Sequence, residues 1–183
     1  MCGDKRLNFY GGGESILCEN WAVAWISERF SLKLGIPPDK ARLIRNAALT
    51  HDIGKLKISE SILGKRSRLT HEEFWVIKTH VEIGAQMLST VKGEAGIVAR
   101  SVALLHHEWH NGNGYLGVPA CRLPDYVPIV AIADVFCALR YKRSYKKVWP
   151  LDEALGYLKK QAGSQFSPDL VREFNYFAES NLF

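Results

Sequence analysis

A chain of 183 residues with 47% hydrophobic, 23% charged and 11% aromatic residues has the size and composition of one globular domain. That composition excludes disorder, collagen and low-complexity fibres, and no apolar run reaches the roughly 18 residues a membrane span requires. The formal charge of +5 is modest, although five of the eight residues from 140 to 147 are Lys or Arg. Such a run is either a solvated helix end or a local anion-attracting patch. There is no secretory h-region at the N-terminus. The four cysteines (Cys2, Cys18, Cys121 and Cys137) form no CxxC pair, so reduced thiols in the cytoplasm are expected.

In chain order, residues 1–14 read as a tail, because Gly11-Gly12-Gly13 is too costly in backbone entropy for a helix interior. The domain is expected over 15–183. Leu17, Trp21, Ala24, Trp25 and Glu28 share one helical face, which predicts a first helix ending near Gly35. Pro37-Pro38-Asp39 starts a second helix that runs through Leu49, and 54–69 carries too little pattern to assign. Thr70-His71-Glu72-Glu73 is a capping box opening a helix through Phe74, Ile77, Val81, Gly84 and Leu88. A further helix is expected over 95–108, followed by a Gly-rich loop from Asn111 to Gly117. An apolar helix follows over 127–140, and two more come after Trp149-Pro150, the last with Ser167-Pro168 at its N-terminus. With no alternating strand pattern, the prediction is an all-α bundle of about seven helices. Trp21, Trp25 and Trp75 are most simply read as core.

The informative polar residues are His51-Asp52, His80, His106-His107 and Asp134, with 29 residues from His51 to His80, 26 from His80 to His106 and 28 from His106 to Asp134. Each interval is about one helix plus one loop, so a bundle can bring them to one centre. Asp134 lies inside Ile129-Val130-Ala131-Ile132-Ala133-Asp134-Val135-Phe136, where an unpaired carboxylate would be costly, so a cation should face it. Imidazoles and carboxylates together suit Mn, Fe or Zn. His71 and His110 read as exposed residues outside this set, and Trp109 with Tyr115 are candidates for stacking on a base.

Five ordered motifs carry a resemblance. They are His51-Asp52-Ile53-Gly54-Lys55, Lys78-Thr79-His80, His106-His107-Glu108, Gly112-x-Gly114-Tyr115 and Ile132-Ala133-Asp134-Val135. With Arg143-Ser144-Tyr145-Lys146, they resemble the HD-GYP branch of the HD-domain metallophosphohydrolases over roughly residues 15 to 178. The resemblance implies a helical bundle around divalent ions, usually iron or manganese, and hydrolysis of cyclic di-GMP to the linear dinucleotide or GMP. Carried over by position, His51, Asp52, His80, His106, His107 and Asp134 would be metal ligands, with Asp52 bridging two ions. Lys55 would hold the scissile phosphate, Gly114 and Tyr115 would line the substrate loop, and Arg143 and Lys146 would meet the second phosphate. The implied chemistry is in-line attack by a metal-bridging hydroxide, with two metals about 3.5–4 Å apart offsetting phosphate charge.

Four positions depart from that pattern. Glu19 stands where the family places a His, and reads equally as a carboxylate ligand and as an ordinary first-turn residue favoured by the helix dipole. Ser15 replaces the Glu of three-metal members, so two ions are expected. Leu116 replaces the Pro of Gly-Tyr-Pro and is expected to release the loop's fixed φ and alter docking to partners, and Cys137 replaces an Asp as a small buried residue. The leading expectation is therefore a two-metal phosphodiesterase for cyclic di-GMP or a related cyclic dinucleotide. The alternatives are a diverged module that binds nucleotide or a signalling partner without turnover, and a mononucleotide phosphohydrolase. Duplex nucleic-acid binding is not expected. Only about 14 residues precede the first helix, so the receiver domain common in the family is expected to be missing, with regulation through expression or a partner.

Overall fold

The computed structural model describes residues 16–65, 67–140 and 148–182, with side chains from residue 20 onward. Among these the fold is helical, without β-strands: α1 (Ile16–Lys33), α2 (Pro38–Leu49), the single turn α3 (Glu60–Leu63), α4 (His71–Lys78), α5 (His80–Met87), α6 (Gly93–Leu105), α7 (Tyr126–Arg140), α8 (Leu151–Lys160) and α9 (Pro168–Asn181). None of these helices is long and apolar enough to cross a membrane. The all-α expectation holds. The count exceeds seven because the predicted helix from Thr70 to Leu88 is two helices and the unassigned stretch contains α3.

Local chemistry sets the boundaries. Thr70 Oγ1 accepts the backbone N–H of Glu73 while the Glu73 carboxylate accepts that of Thr70, so α4 starts with a complete capping box. Ser167 caps α9 through Leu170 N–H, with Pro168 in the first turn. At Thr79 the chain tightens (φ −63°, ψ −15°) and the Thr79 hydroxyl bonds back to Val76 O, which ends α4 and re-aims α5. His80 consequently becomes the first residue of a new helix.

α1 packs on α2 and α7, α2 on α6, and α5 on α6. Their buried apolar faces form one core, in which Phe30 meets Phe174 edge-on at 5.0 Å between centroids and Phe136 meets Phe174 at 5.3 Å. Trp25 is half-buried against this core. Trp21 and Trp75 are not core residues: they are 62% and 60% exposed, because α1 and α4 turn those faces away from their neighbours. Cys137 is buried, as expected of a small apolar replacement, and Cys121 is exposed.

Candidate metal centre

The centre forms where helix ends meet. His51 and Asp52 follow the C-terminus of α2 and lead into a short 3₁₀ segment, Ile53–Lys57. His80 opens α5, His106 caps α6 with His107 next to it, and Asp134 projects from the middle of α7. Gly54 makes the approach possible, because a Cβ there would lie 2.0 Å from His80 O and 2.7 Å from Gly84 N. Only a residue without a side chain lets the His-Asp segment sit flat on α5.

Each buried imidazole is oriented by its own helix. His51 Nδ1 lies 2.6 Å from Ala48 O, His80 Nδ1 lies 2.7 Å from Ile77 O, and His106 Nδ1 lies 3.0 Å from Val102 O. A carbonyl oxygen only accepts, so Nδ1 carries the hydrogen in all three rings. Every neutral ring therefore turns an Nε2 lone pair inward, the tautomer that metal-binding histidines need. His80 Nε2 and His106 Nε2 stand 3.4 Å apart, aimed at the same space.

Asp52 occupies the middle of that space. Its Oδ1 lies 3.3 Å from His80 Nε2 and 3.7 Å from His106 Nε2, and its Oδ2 lies 3.4 Å from His51 Nε2. His51 Nε2 is also 3.6 Å from Asp134 Oδ1. Asp52, His80, His106 and His107 each offer one ligand atom, all within 4.8 Å of one another. His51 Nε2 and Asp52 Oδ1 are buried without a hydrogen-bond partner. Buried polar atoms are almost always paired, so these orphans together with the donor set fit a divalent cation.

The electrostatics follow from burial and from this clustering. Burial opposes charge on His51, but the carboxylates of Asp52 and Asp134 outweigh it and hold the imidazole well above its usual pKa. Burial likewise opposes charge on Asp52, and the surrounding imidazoles, led by His51, hold it well below the usual carboxylate range. Asp134 is lowered against its own burial, chiefly by His51. Burial lowers His106, and it pushes His107 down to about 2, with His106 adding to the effect. The Tyr115 phenol is pushed up to about 12 by burial, with the Asp52 and Asp134 charges adding to it. Lys55 Nζ contacts Asp52 Oδ2 at 2.5 Å.

The Gly-rich loop folds over this cluster. Tyr115 lies 4.4 Å from His107 between ring centroids, and its N–H donates to His107 O. At Gly114 a Cβ would fall 2.4 Å from Glu108 Cα, so this glycine permits backbone contact. Sequence reasoning assigned Glu108 no role. It is buried, and its carboxylate accepts the backbone N–H groups of Leu116 and Val118, both at 2.6 Å. The loop is thus tied down at Leu116 by a hydrogen bond, whatever fixed φ is given up with proline. The signal available was Glu108 next to His106-His107, ahead of a glycine-rich loop with N–H groups to satisfy.

His71 and His110 are exposed, away from the cluster, as expected. Glu19 lies on α1, but its side chain falls outside the description, and Ser15, Arg143 and Lys146 lie outside the described residues.

An all-α domain whose helix ends converge on a His/Asp cation site is the class that this geometry defines. Residues 10–170 match the HD domain, and the chain belongs to that family. It is 37% identical over 168 residues to the cyclic di-GMP phosphodiesterase response regulator RpfG of Xanthomonas campestris pv. campestris, covering 91% of this chain and 44% of that protein. It is also 39% identical over 153 residues to 3'3'-cGAMP-specific phosphodiesterase 2 of Vibrio cholerae, covering 81% of this chain and 29% of that one. The chain therefore spans less than half the length of these curated relatives. A solved structure, Bd1817, a HDG"Y"P protein from Bdellovibrio bacteriovorus, superposes with a TM-score of 0.73 over 90% of this chain and 53% of its own. At 22% identity that likeness speaks for the fold alone.

Proposed function

We propose that the chain is a two-metal phosphodiesterase that hydrolyses cyclic di-GMP, or a related cyclic dinucleotide, to the linear dinucleotide or to GMP. The observation carrying this reading is the convergence of three inward-facing Nε2 atoms on Asp52, whose two oxygens face different ligand groups. Relatives that share this domain are named as cyclic di-GMP and 3'3'-cGAMP phosphodiesterases, which supports the substrate class.

In this reading His51, Asp52, His80, His106, His107 and Asp134 would hold the two ions, with Asp52 serving both. Iron or manganese suits a mixture of imidazole and carboxylate donors. Bound divalent ions supply a nucleophilic water at neutral pH and polarise the phosphoryl oxygens. Lys55 anchors Asp52 through one N–H and offers its remaining donors to the incoming phosphate, where negative charge grows in the transition state. Gly114 and Tyr115 close the substrate side over His107. Glu19 as a further carboxylate ligand, and Arg143 with Lys146 on the second phosphate, rest on their motif positions. The unpatterned cysteines favour the cytoplasm as the compartment.

The test is product chromatography after incubating Mn- or Fe-loaded protein, prepared without oxygen, with cyclic di-GMP and 3'3'-cGAMP. Linear dinucleotide or nucleotide monophosphate is expected. Intact substrate, from protein shown to hold metal, would overturn turnover and favour a nucleotide-binding or protein-interaction module.

A further inference from the structure

Lys78 ends α4 two residues before His80, and its ammonium lies over three rings. The distances to the ring centroids are 4.7 Å for Trp75, 4.8 Å for Tyr115 and 5.3 Å for Phe74. Phe74 also meets Tyr115 edge-on at 6.1 Å. Among the described residues no carboxylate forms an ion pair with Lys78. Cation–π contact therefore holds the side chain in place and leaves its N–H donors uncommitted.

The cluster borders the metal centre. Tyr115 belongs to it and also lies against His107 at 4.4 Å and faces His80 edge-on at 6.4 Å. A row of rings thus runs outward from His106 through His107 and Tyr115 to Phe74, with Lys78 bridging to Trp75. At its outer end Trp75 is 60% and Phe74 40% exposed, so flat apolar surface faces the solvent beside the reacting site. On the reading above the His/Asp cluster would take a phosphodiester, and this row has the chemistry to receive the adjoining nucleobase. Aromatic faces stack a base of any sequence, and a lysine donor distinguishes edges. Guanine presents O6 and N7 as adjacent acceptors, whereas adenine presents an N6 amino donor that would face the ammonium.

We propose that Trp75, Lys78 and Tyr115 form a base subsite beside the metal centre, which stacks one nucleobase of the substrate and favours guanine over adenine. The inference rests on the cyclic dinucleotide reading above and identifies part of its specificity.

Wild type, Trp75→Ala, Trp75→Phe and Lys78→Met are compared on cyclic di-GMP, cyclic di-AMP and bis(p-nitrophenyl) phosphate, a diester without a nucleobase. Trp75→Ala is expected to raise KM for cyclic di-GMP about tenfold with kcat held, the size of one lost base stack, while Trp75→Phe stays near wild type. Lys78→Met is expected to cut the cyclic di-GMP over cyclic di-AMP preference in kcat/KM at least about fivefold, as loss of one base-edge contact does. Rates on bis(p-nitrophenyl) phosphate should not change. An unchanged KM in Trp75→Ala overturns the stacking role, and an equal loss on both dinucleotides in Lys78→Met overturns the guanine preference. A parallel loss on the simple diester would mean damage to the centre and would also overturn the subsite. Should wild type cleave nothing, the phosphodiesterase reading fails by itself. Calorimetric binding of cyclic di-GMP to wild type and Trp75→Ala then decides the subsite, with equal affinities overturning it.

Discussion

Glu108 accepts the backbone N–H of Leu116 at 2.6 Å, a hydrogen bond that proline at that position has no N–H to make. The loop over the His/Asp cluster is thus held by a carboxylate on the segment that carries His106 and His107, and the same carboxylate accepts Val118 N–H. Leu116→Pro, which would recreate Gly-Tyr-Pro, is therefore expected to destabilise this chain. One charge-assisted hydrogen bond is lost and a buried oxygen is left short, at a cost of about 1.5–3 kcal/mol. Thermal unfolding checks this, and an unchanged or higher Tm would contradict it.

Gly54→Ala tests how closely the His-Asp segment must approach α5. The added Cβ would meet His80 O at 2.0 Å and Gly84 N at 2.7 Å, both backbone atoms with no flexible end to move aside. Overpacking of this kind costs about 1–3 kcal/mol, and here the strain falls between His51-Asp52 and His80. The variant is expected to fold with a lower Tm and to bind Mn at least about tenfold more weakly, as expected when the groups that orient metal ligands are disturbed. Wild-type affinity at a lower Tm would show that the contact serves the fold alone.

The pH dependence follows from His51. Burial opposes its charge, yet Asp52 and Asp134 hold its pKa well above the usual 6.5 in the metal-free protein. A group raised on folding stabilises fully below its unfolded value and loses that contribution as pH rises through the folded one. His51 protonation therefore stabilises the metal-free protein at and below neutral pH, and this contribution disappears at higher pH. Ligation requires the neutral ring, so metal binding expels the proton. Titrating Mn at pH 7 in buffers of different ionisation enthalpy should show release of about one proton per molecule from this site. No release would remove His51 from the ligand set.

Much of the candidate site was legible in the sequence because its His and Asp residues recur at intervals of about one helix plus one loop. His51, Asp52, His80, His106, His107 and Asp134 fall together in the structure as that spacing suggested. The break at Thr79 was not legible, because Phe74, Ile77, Val81, Gly84 and Leu88 keep helical period across it and Thr79 itself has near-helical dihedrals. The exposure of Trp21 and Trp75 was missed for a related reason: periodicity groups residues on a face without saying what covers that face. Glu108 stood in a motif without a role because its partners are backbone N–H groups eight and ten residues on, which only the folded loop brings to it.

Asp52, with imidazoles facing both of its oxygens, would be shared by two ions. Counting metal equivalents per chain in Mn-reconstituted, desalted wild type and Asp52→Ala tests it most directly. Two equivalents are expected in wild type and none in the variant, with the variant still helical by circular dichroism. Two equivalents retained by Asp52→Ala would contradict it.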